Sequence, residues 1–473
     1  MTTTSRASGP ISGPPADLLT DHPSAGDGIH GFFGHPRGLS TLFFTEMWER
    51  FSYYGMRAFL ILYMVKALGF DDKHAGSAYG TYVASVWGAA IFGGIIADRW
   101  LGQYRSVLYG GIIIALGHFT LAFHPLPFFY AGLTLIVIGT GLLKPNVSGI
   151  VGALYETNDT RRDAGFSIFY MGINLGATIG PLIADGFAER VNWHLGFACA
   201  GIGMTFGLIQ YVRGRKYLEP AMARLDRARN DARAAKQAAR EQAKSVSSAS
   251  TEPTFGGFNR QEWKRLAAMG VFFCFAAVFW GAYEQAGSTL NLFADRYTHR
   301  VVFGFNYPAG WFQSVQAIWV IVLAPVFAWI WIRLKNREPS TPAKFAIGLM
   351  FTGLAFALLV IPALSLQRHP GIRVSALWLV GCYFIEELGE LSLSPVGLSV
   401  FTKLSPAKIV GLMLGVWFLA DAVGNKVAGY AAGFISSAPL PDLFGTVAAV
   451  CLGASLIAFL MIKPVRSLMG GIH

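Results

Sequence analysis

Glu46, Glu49, Arg50 and Arg57 stand in an otherwise apolar run of the chain, residues 41–67, with the phenols of Tyr53 and Tyr54 between them. Positions 46, 50, 53 and 57 follow the i, i+4, i+7, i+11 stripe of a helix, and Glu49 lies beside it, so one helix face would be a charged, aromatic wall. In hydrocarbon each charge at a helix centre costs ~2.5–3.5 kcal/mol, so four facing lipid would cost about 10 kcal/mol. They must therefore face the protein interior. A single acid and arginine would read as interhelical glue, whereas two of each on one stripe point to an ion or substrate pathway.

The other charges within apolar runs are few. Lys144 precedes Pro145 and Asn146, Glu284 follows Trp280 by four residues, and Glu386, Glu387 and Glu390 crowd a segment that continues to Ser394 and Pro395. A proline inside a helix removes a hydrogen bond, so a kink or break is expected at Pro395. Three ionised acids there would repel one another, so at least one is expected to keep a proton or to find a cation. Asp421 and Lys426 form a further candidate pair. Charges of both signs around one cavity suit a molecule with an ammonium at one end and a carboxylate at the other. Asn174, four residues after Tyr170, adds amide donors and an acceptor for a peptide backbone.

Gly94, Asp98, Arg99, Gly102 and Arg105 form a separate group at the end of another apolar run, read as a structural latch between helices rather than a substrate site. No His/Cys metal spacing, phosphate-binding glycine loop or nucleophile elbow is visible in the sequence. The expectation is a protein without metal or cofactor, not an enzyme, driven by an ion gradient rather than by ATP.

The elements that must position these groups follow from the solvent. Of 473 residues, 53% are hydrophobic and 14% charged, against roughly 25% charged in soluble domains, and 55 are glycine, as expected where membrane helices approach closely. The four cysteines lie far apart in apolar runs, which implies no disulfide framework. About twelve segments of ~20 residues are long enough to cross a bilayer, approximately 41–67, 76–98, 105–123, 127–152, 164–187, 194–212, 266–293, 307–333, 343–363, 374–396, 408–434 and 443–463. The chain carries a formal charge of +11, and residues 213–265 hold 13 Lys and Arg against 6 Asp and Glu. The basic excess is therefore a topology signal before it is a nucleic-acid signal, and the positive-inside rule sets both termini and this linker in the cytoplasm. The expected organisation is a disordered tail (1–38), a six-helix bundle (39–212), a basic linker with helical potential (213–265), a second six-helix bundle (266–465) and a short tail (466–473). Between about Glu219 and Lys244 the linker could lie on an anionic leaflet or cover the cytoplasmic mouth, although a solvated topogenic linker is the simpler expectation. Two six-helix halves around a midplane site are typical of secondary transporters.

Glu46-Met-Trp-Glu49-Arg50-Phe51-Ser52-Tyr53-Tyr54-Gly55 resembles the first-helix signature of the proton-dependent oligopeptide transporter family of the major facilitator superfamily. Phe169-Tyr170-Met171-Gly172-Ile173-Asn174-Leu175-Gly176 resembles that family's fifth-helix signature, and Gly94 to Arg105 is similar to the superfamily's loop motif. Trp280 to Ser288 and Ser394-Pro395-Val396-Gly397-Leu398-Ser399 fit as well. The resemblance implies an all-α membrane protein of twelve transmembrane helices in two six-helix bundles. It implies that Arg57 and Lys144 receive a peptide carboxylate while Glu390 and Asn174 hold the amino end, with Tyr53, Tyr54, Tyr170, Trp280, Gln316, Ser394 and Trp417 around the substrate. Glu284 would pair with Arg57 when the outer gate is shut, and Lys144 with Glu390 at the inner gate. Glu46, Glu49, Arg50 and Glu284 would couple proton movement to transport.

Two positions depart from the family pattern. Gln316 stands where members often carry Asn, and Asp421 sets an acid where a small or neutral residue is usual. The basic linker occupies the place where many bacterial members insert an extra helix pair. The implied function is a symporter importing di- and tripeptides with protons by alternating access, a monomer with both termini cytoplasmic in a bacterial inner membrane, whose partners are short peptides, protons and lipid and not nucleic acid. A proton-coupled carrier of nitrate, drugs or another organic anion is the rival on the same fold, and a peptide-binding receptor or channel the rival from another class.

Overall fold

The computed structural model describes residues 31–156, 159–245, 258–406 and 409–470. Most of the expected amino-terminal tail, part of the linker and the last residues of the carboxy-terminal tail lie outside the described residues. Inside the stretch read as tail, residues 31–36 are tied down by a hydrogen bond between His35 and Tyr155, 3.0 Å, and helix begins at Arg37.

The helices are α1 (Arg37–Lys66), α2 (Asp72–Ile96), α3 (Gln103–Leu121), α4 (Leu126–Ala153), α5 (Arg162–Arg190), α6 (Trp193–Arg213), α7 (Arg215–Ser245), α8 (Arg260–Tyr283), α9 (Thr289–Tyr297), α10 (Trp311–Leu334), α11 (Thr341–Arg368), α12 (Leu377–Leu404), α13 (Val410–Ala432), α14 (Leu440–Leu460) and α15 (Ile462–Met469). Local signals mark several starts. Asp71 accepts from the His74 amide at 2.8 Å, Asn192 accepts from that of His194, and Asn259 with Glu262 closes a reciprocal capping box ahead of α8, each satisfying amides that a helix end leaves open. Among the described residues, nine helical segments are long and apolar enough to cross a membrane by length and composition. The helices α1, α3, α7 and α12 fall outside that criterion, and α1 and α12 each bury two or more acids.

The packing forms two groups. In the first, α1 lies against α5 and α6, and α3 against α4 and α6; in the second, α11 lies against α12 and α14, and α8 against α13. Along the seam between them run α2 with α13 and α5 with α10. The first seam needs glycine, because a Cβ on Gly429 would stand 2.3 Å from the Gly76 carbonyl oxygen.

At the end of the molecule remote from the termini and α7, hereafter the far end, ion pairs tie the two groups together. Arg296 grips both oxygens of Asp72 at 2.5 and 2.8 Å, Lys66 meets Asp295 at 2.6 Å, and Arg300 reaches Glu189 at 3.3 Å. Two short ribbons that a purely helical reading did not include sit at the same end. They are β1 (Thr298–His299) parallel to β4 (Val374–Ser375), and β2 (Val301–Val302) antiparallel to β3 (Phe305–Asn306).

Two further expectations are corrected. Of the kink or break expected at Pro395 the break is absent, since α12 runs on to Leu404; Trp417 packs against Gly397 in the turn beyond the proline. The interruption falls instead at Glu284–Gly287, a tighter helical turn between α8 and α9. Finally, the first turns of α7 are docked rather than solvated, with Leu218 and Ala221 fully buried. Arg224 donates to the carbonyls of Ala153 and Leu154 at 3.0 Å, capping the end of α4.

Candidate functional site

Helix α1 carries the charged wall inward. Glu46, Glu49, Arg50, Tyr53 and Arg57 are all buried, so the ~10 kcal/mol cost of exposing four charges to lipid is avoided. Arg50 forks onto Glu49, with Nη2 donating to Oε1 at 2.5 Å, and its Nε lies 3.4 Å from Glu46 Oε1. Lys144, brought in by α4, donates to the same Glu46 oxygen at 2.7 Å. Two acids and two bases thus form one neutral cluster from two helices, which is what makes their burial tolerable.

One and two turns along, Tyr54 links this cluster to the next. Its ring receives Arg50 at 5.8 Å and Arg57 at 5.7 Å, both within cation–π range. Arg57 Nε donates to the Tyr79 hydroxyl at 2.6 Å, and its guanidinium forms an ion pair with Glu284 from the second helix group. This approach depends on Gly287, one turn after Glu284, where a Cβ would lie 1.8 Å from the Tyr79 hydroxyl and 2.8 Å from Arg57 Nε.

Across the seam, α12 presents its acids. Glu386, Glu387 and Glu390 are buried. Tyr283 donates to Glu387 Oε1 at 2.8 Å, and Ser394 stands one turn after Glu390 on the same helix. Glu387 Oε2, Glu390 Oε2 and both oxygens of Glu386 have no hydrogen-bond partner among the described residues. A buried carboxyl without a donor is costly unless it carries a proton or receives a ligand, so this wall is able to do either. Tyr170 from α5 stays 40% exposed, although Glu387 and Glu390 are the acids electrostatically nearest to it. Asn174 donates to the Tyr170 carbonyl at 3.0 Å.

The remaining expected residues are distributed as follows. Trp280 is buried beside Tyr283, ring centroids 5.4 Å apart, and its indole N–H is unpartnered. Gln316 is half-buried with an unpartnered amide nitrogen. Trp417 is packed between Phe345 and Phe401, so it shapes the α12 backbone near Ser394 rather than opening onto a cavity. Lys144 is bound to Glu46 in this conformation, and among the described residues it forms no ion pair with its expected partner Glu390. Asp421 and Lys426 do not pair. Five residues apart on one helix they point about 140° from each other, so Asp421 turns inward to Asn425 at 2.6 Å and Lys426 outward to Thr81 at 2.5 Å. The loop group lies apart from all of this. Asp98 accepts from Gln103 at 3.1 Å, and Arg99 follows it within the widened turn Ala97–Leu101. Gly102 has φ 74° and lets the chain turn back into α3, where Arg105 sits in the first turn.

Tyr79, Tyr283 and Asn425 were missed from the sequence. A tyrosine in an apolar run reads as packing, and only the position of a buried partner reveals its hydroxyl as a ligand. Among the described residues no group of three His, Cys, Asp or Glu is arranged to hold a metal.

The sequence model of the POT family matches residues 104–253 and 226–447. The chain is 38% identical to the peptide transporter YePEPT of Yersinia enterocolitica subsp. palearctica, covering 93% of this chain and 96% of that one. It is 36% identical to the di-/tripeptide transporter of Lactococcus lactis subsp. cremoris, covering 93% and 98%. A solved structure of a peptide transporter POT in complex with sulfate superposes with a TM-score of 0.82 at 39% identity, over 93% of this chain and 97% of that one. The arrangement of helices is accordingly the major facilitator fold of a multi-pass membrane protein. With a family match across most of its length, and relatives this similar over nearly all of it, the chain belongs to the POT family.

Proposed function

We propose that this protein is a proton-coupled importer of di- and tripeptides that works by alternating access. The observation that carries the reading is the Arg57–Glu284 ion pair across the seam, with carboxyls on α12 and the Glu46–Lys144 cluster on either side of it. A peptide is a zwitterion, and this site offers cations from the first helix group and unpartnered carboxylate oxygens from the second. The relatives named as peptide and di-/tripeptide transporters support the same substrate class. A carrier of a pure anion would gain nothing from Glu387 and Glu390.

In this reading the chain crosses the membrane twelve times, with six spans on each side of α7 and both termini in the cytoplasm of a bacterial cell whose inner membrane holds it as a monomer. The far end is then the outer face, closed by Asp72–Arg296, Lys66–Asp295 and Glu189–Arg300. Arg57–Glu284 is the innermost part of that closure. Protonation of Glu284 from outside frees Arg57 to take the peptide carboxylate, Lys144 exchanges Glu46 for the same carboxylate, and Glu390 with Asn174 receives the amino end. When the inner side closes, Lys144 reaches Glu390. The test is uptake into proteoliposomes with an imposed inward pH gradient: labelled dialanine accumulates above equilibrium, while nitrate and single amino acids do not. Gradient-driven accumulation of nitrate with none of dialanine would reverse the assignment.

A further inference from the structure

The outward side of α2 carries a second polar feature that the transport site does not use. His74, Ser77, Thr81 and Ser85 are all exposed, and their spacing of 3, 4 and 4 residues sets them on one helix face. On a membrane-spanning helix that face meets lipid, where polar groups need partners. Together with Tyr130 and Thr134 of α4, they line a groove of about 450 Å³ floored by Leu133 and Val137. From the other side Lys426 of α13 leans over its rim, 2.5 Å from Thr81 Oγ1 and 3.4 Å from Ser77 Oγ.

The charge balance of this patch is incomplete. Lys426 is exposed and its partners are hydroxyl and carbonyl oxygens, with no carboxylate within ion-pair distance among the described residues. An ammonium on the lipid side of a helix is expensive unless it reaches an anion or the interface. The hydroxyls do not neutralise it, because Thr81 and Thr134 give their protons to carbonyls one turn back. His74 and Tyr130 meet at 3.3 Å at the end of the groove nearest the α2 start, so hydrogen-bond donors gather where a headgroup would sit and apolar side chains where acyl chains would run.

We propose that this groove binds the phosphodiester headgroup of an anionic phospholipid, held by Lys426 with His74 and Tyr130, its chains lying along Leu133 and Val137. The site bridges the two helix groups, since the groove belongs to α2 and α4 and the cation to α13. A second copy of the chain is a poorer occupant, because a two-fold contact on this face would bring Lys426 toward its own symmetry mate.

The test uses the full chain in phosphatidylcholine nanodiscs doped with spin-labelled lipid. The wild type is expected to immobilise labelled phosphatidylglycerol in preference to labelled phosphatidylcholine. Lys426→Ala is expected to weaken that association about fivefold, the worth of one cation near an anionic headgroup, and Lys426→Arg to retain it. Leu133→Trp, which fills the groove and leaves the cation, is expected to release the immobilised lipid as well. Peptide counterflow by each variant, reconstituted separately in proteoliposomes, checks that it is folded. Equal association of the two lipids with the wild type overturns the proposal, as does unchanged phosphatidylglycerol binding by Lys426→Ala. Release of the lipid by inorganic phosphate at low millimolar concentration would show a free-anion site in its place, and efficient Ser85→Cys cross-linking between chains would show a dimer contact.

Discussion

In the proposed mechanism coupling turns on Glu284, the acid that closes the seam against Arg57. Glu284→Gln mimics the protonated state permanently, so uphill uptake driven by a pH gradient is expected to be lost while exchange of internal for external peptide persists. Concentrative uptake at the wild-type rate would remove Glu284 from the role. Lys144→Ala leaves Glu46 with Arg50 alone, and loss of one member of a buried ionic set costs about 3–5 kcal/mol locally. Its signature is selectivity: affinity for peptides with a free carboxylate should fall at least tenfold more than for their amides, measured by competition. The α1 charges were legible from sequence because lipid makes every buried charge conspicuous. Their partners were not, because Lys144 has two acids of plausible reach, Glu46 and Glu390, and sequence does not give the conformation that chooses between them. Tyr79 and Tyr283 escaped for the opposite reason, since nothing in an apolar run distinguishes a phenol that packs from one that donates.

At the scale of elements, the break after α8 sets Glu284 in place, and it follows from steric fit rather than from a proline. A methyl group on Gly287 has to displace the Tyr79 hydroxyl, 1.8 Å away. Gly287→Ala should therefore lower both the unfolding temperature and uptake, and Gly287→Ala with Tyr79→Phe should recover part of the uptake because the obstructing oxygen is gone. No recovery in the double variant would place the defect in the backbone of the break. Sequence gave the opposite impression here, with proline at 395 as the expected interruption and none near 284. Prolines are tolerated where neighbouring helices hold the turn, and glycines matter where two elements meet, which only the partner helix discloses. The spans expected from 76, 194 and 266 begin as helices at Asp72, Trp193 and Arg260, because the caps Asp71, Asn192 and Asn259 extend the helix beyond the apolar run on which the expectation rested. The linker's helix was half legible, through its alanine-rich composition, whereas the docking of Leu218 and Ala221 depended on the end of α4.

For the whole molecule, the far end is a clasp of partly exposed ion pairs around a buried one. Exposed pairs are individually worth about 0.2–1 kcal/mol, so Arg296→Ala should shift the balance between outward- and inward-open forms a few-fold without unfolding the protein. Spin labels at Lys73 and Ser437 would report it as growth of a longer-distance population, and an unchanged distribution would show that the clasp does not hold the gate. The two-group architecture was legible because hydropathy gives the spans and the basic linker divides them, while the seam pairings α2 with α13 and α5 with α10 were not, being contacts between distant segments. The central claim, that charges converging from both groups bind peptide and proton together, is tested most directly by proton movement. Wild-type proteoliposomes with an internal pH dye, given dialanine from outside, should acidify inside as peptide enters, and Glu284→Gln proteoliposomes should not. Peptide entry into wild-type vesicles with no accompanying acidification would contradict the account.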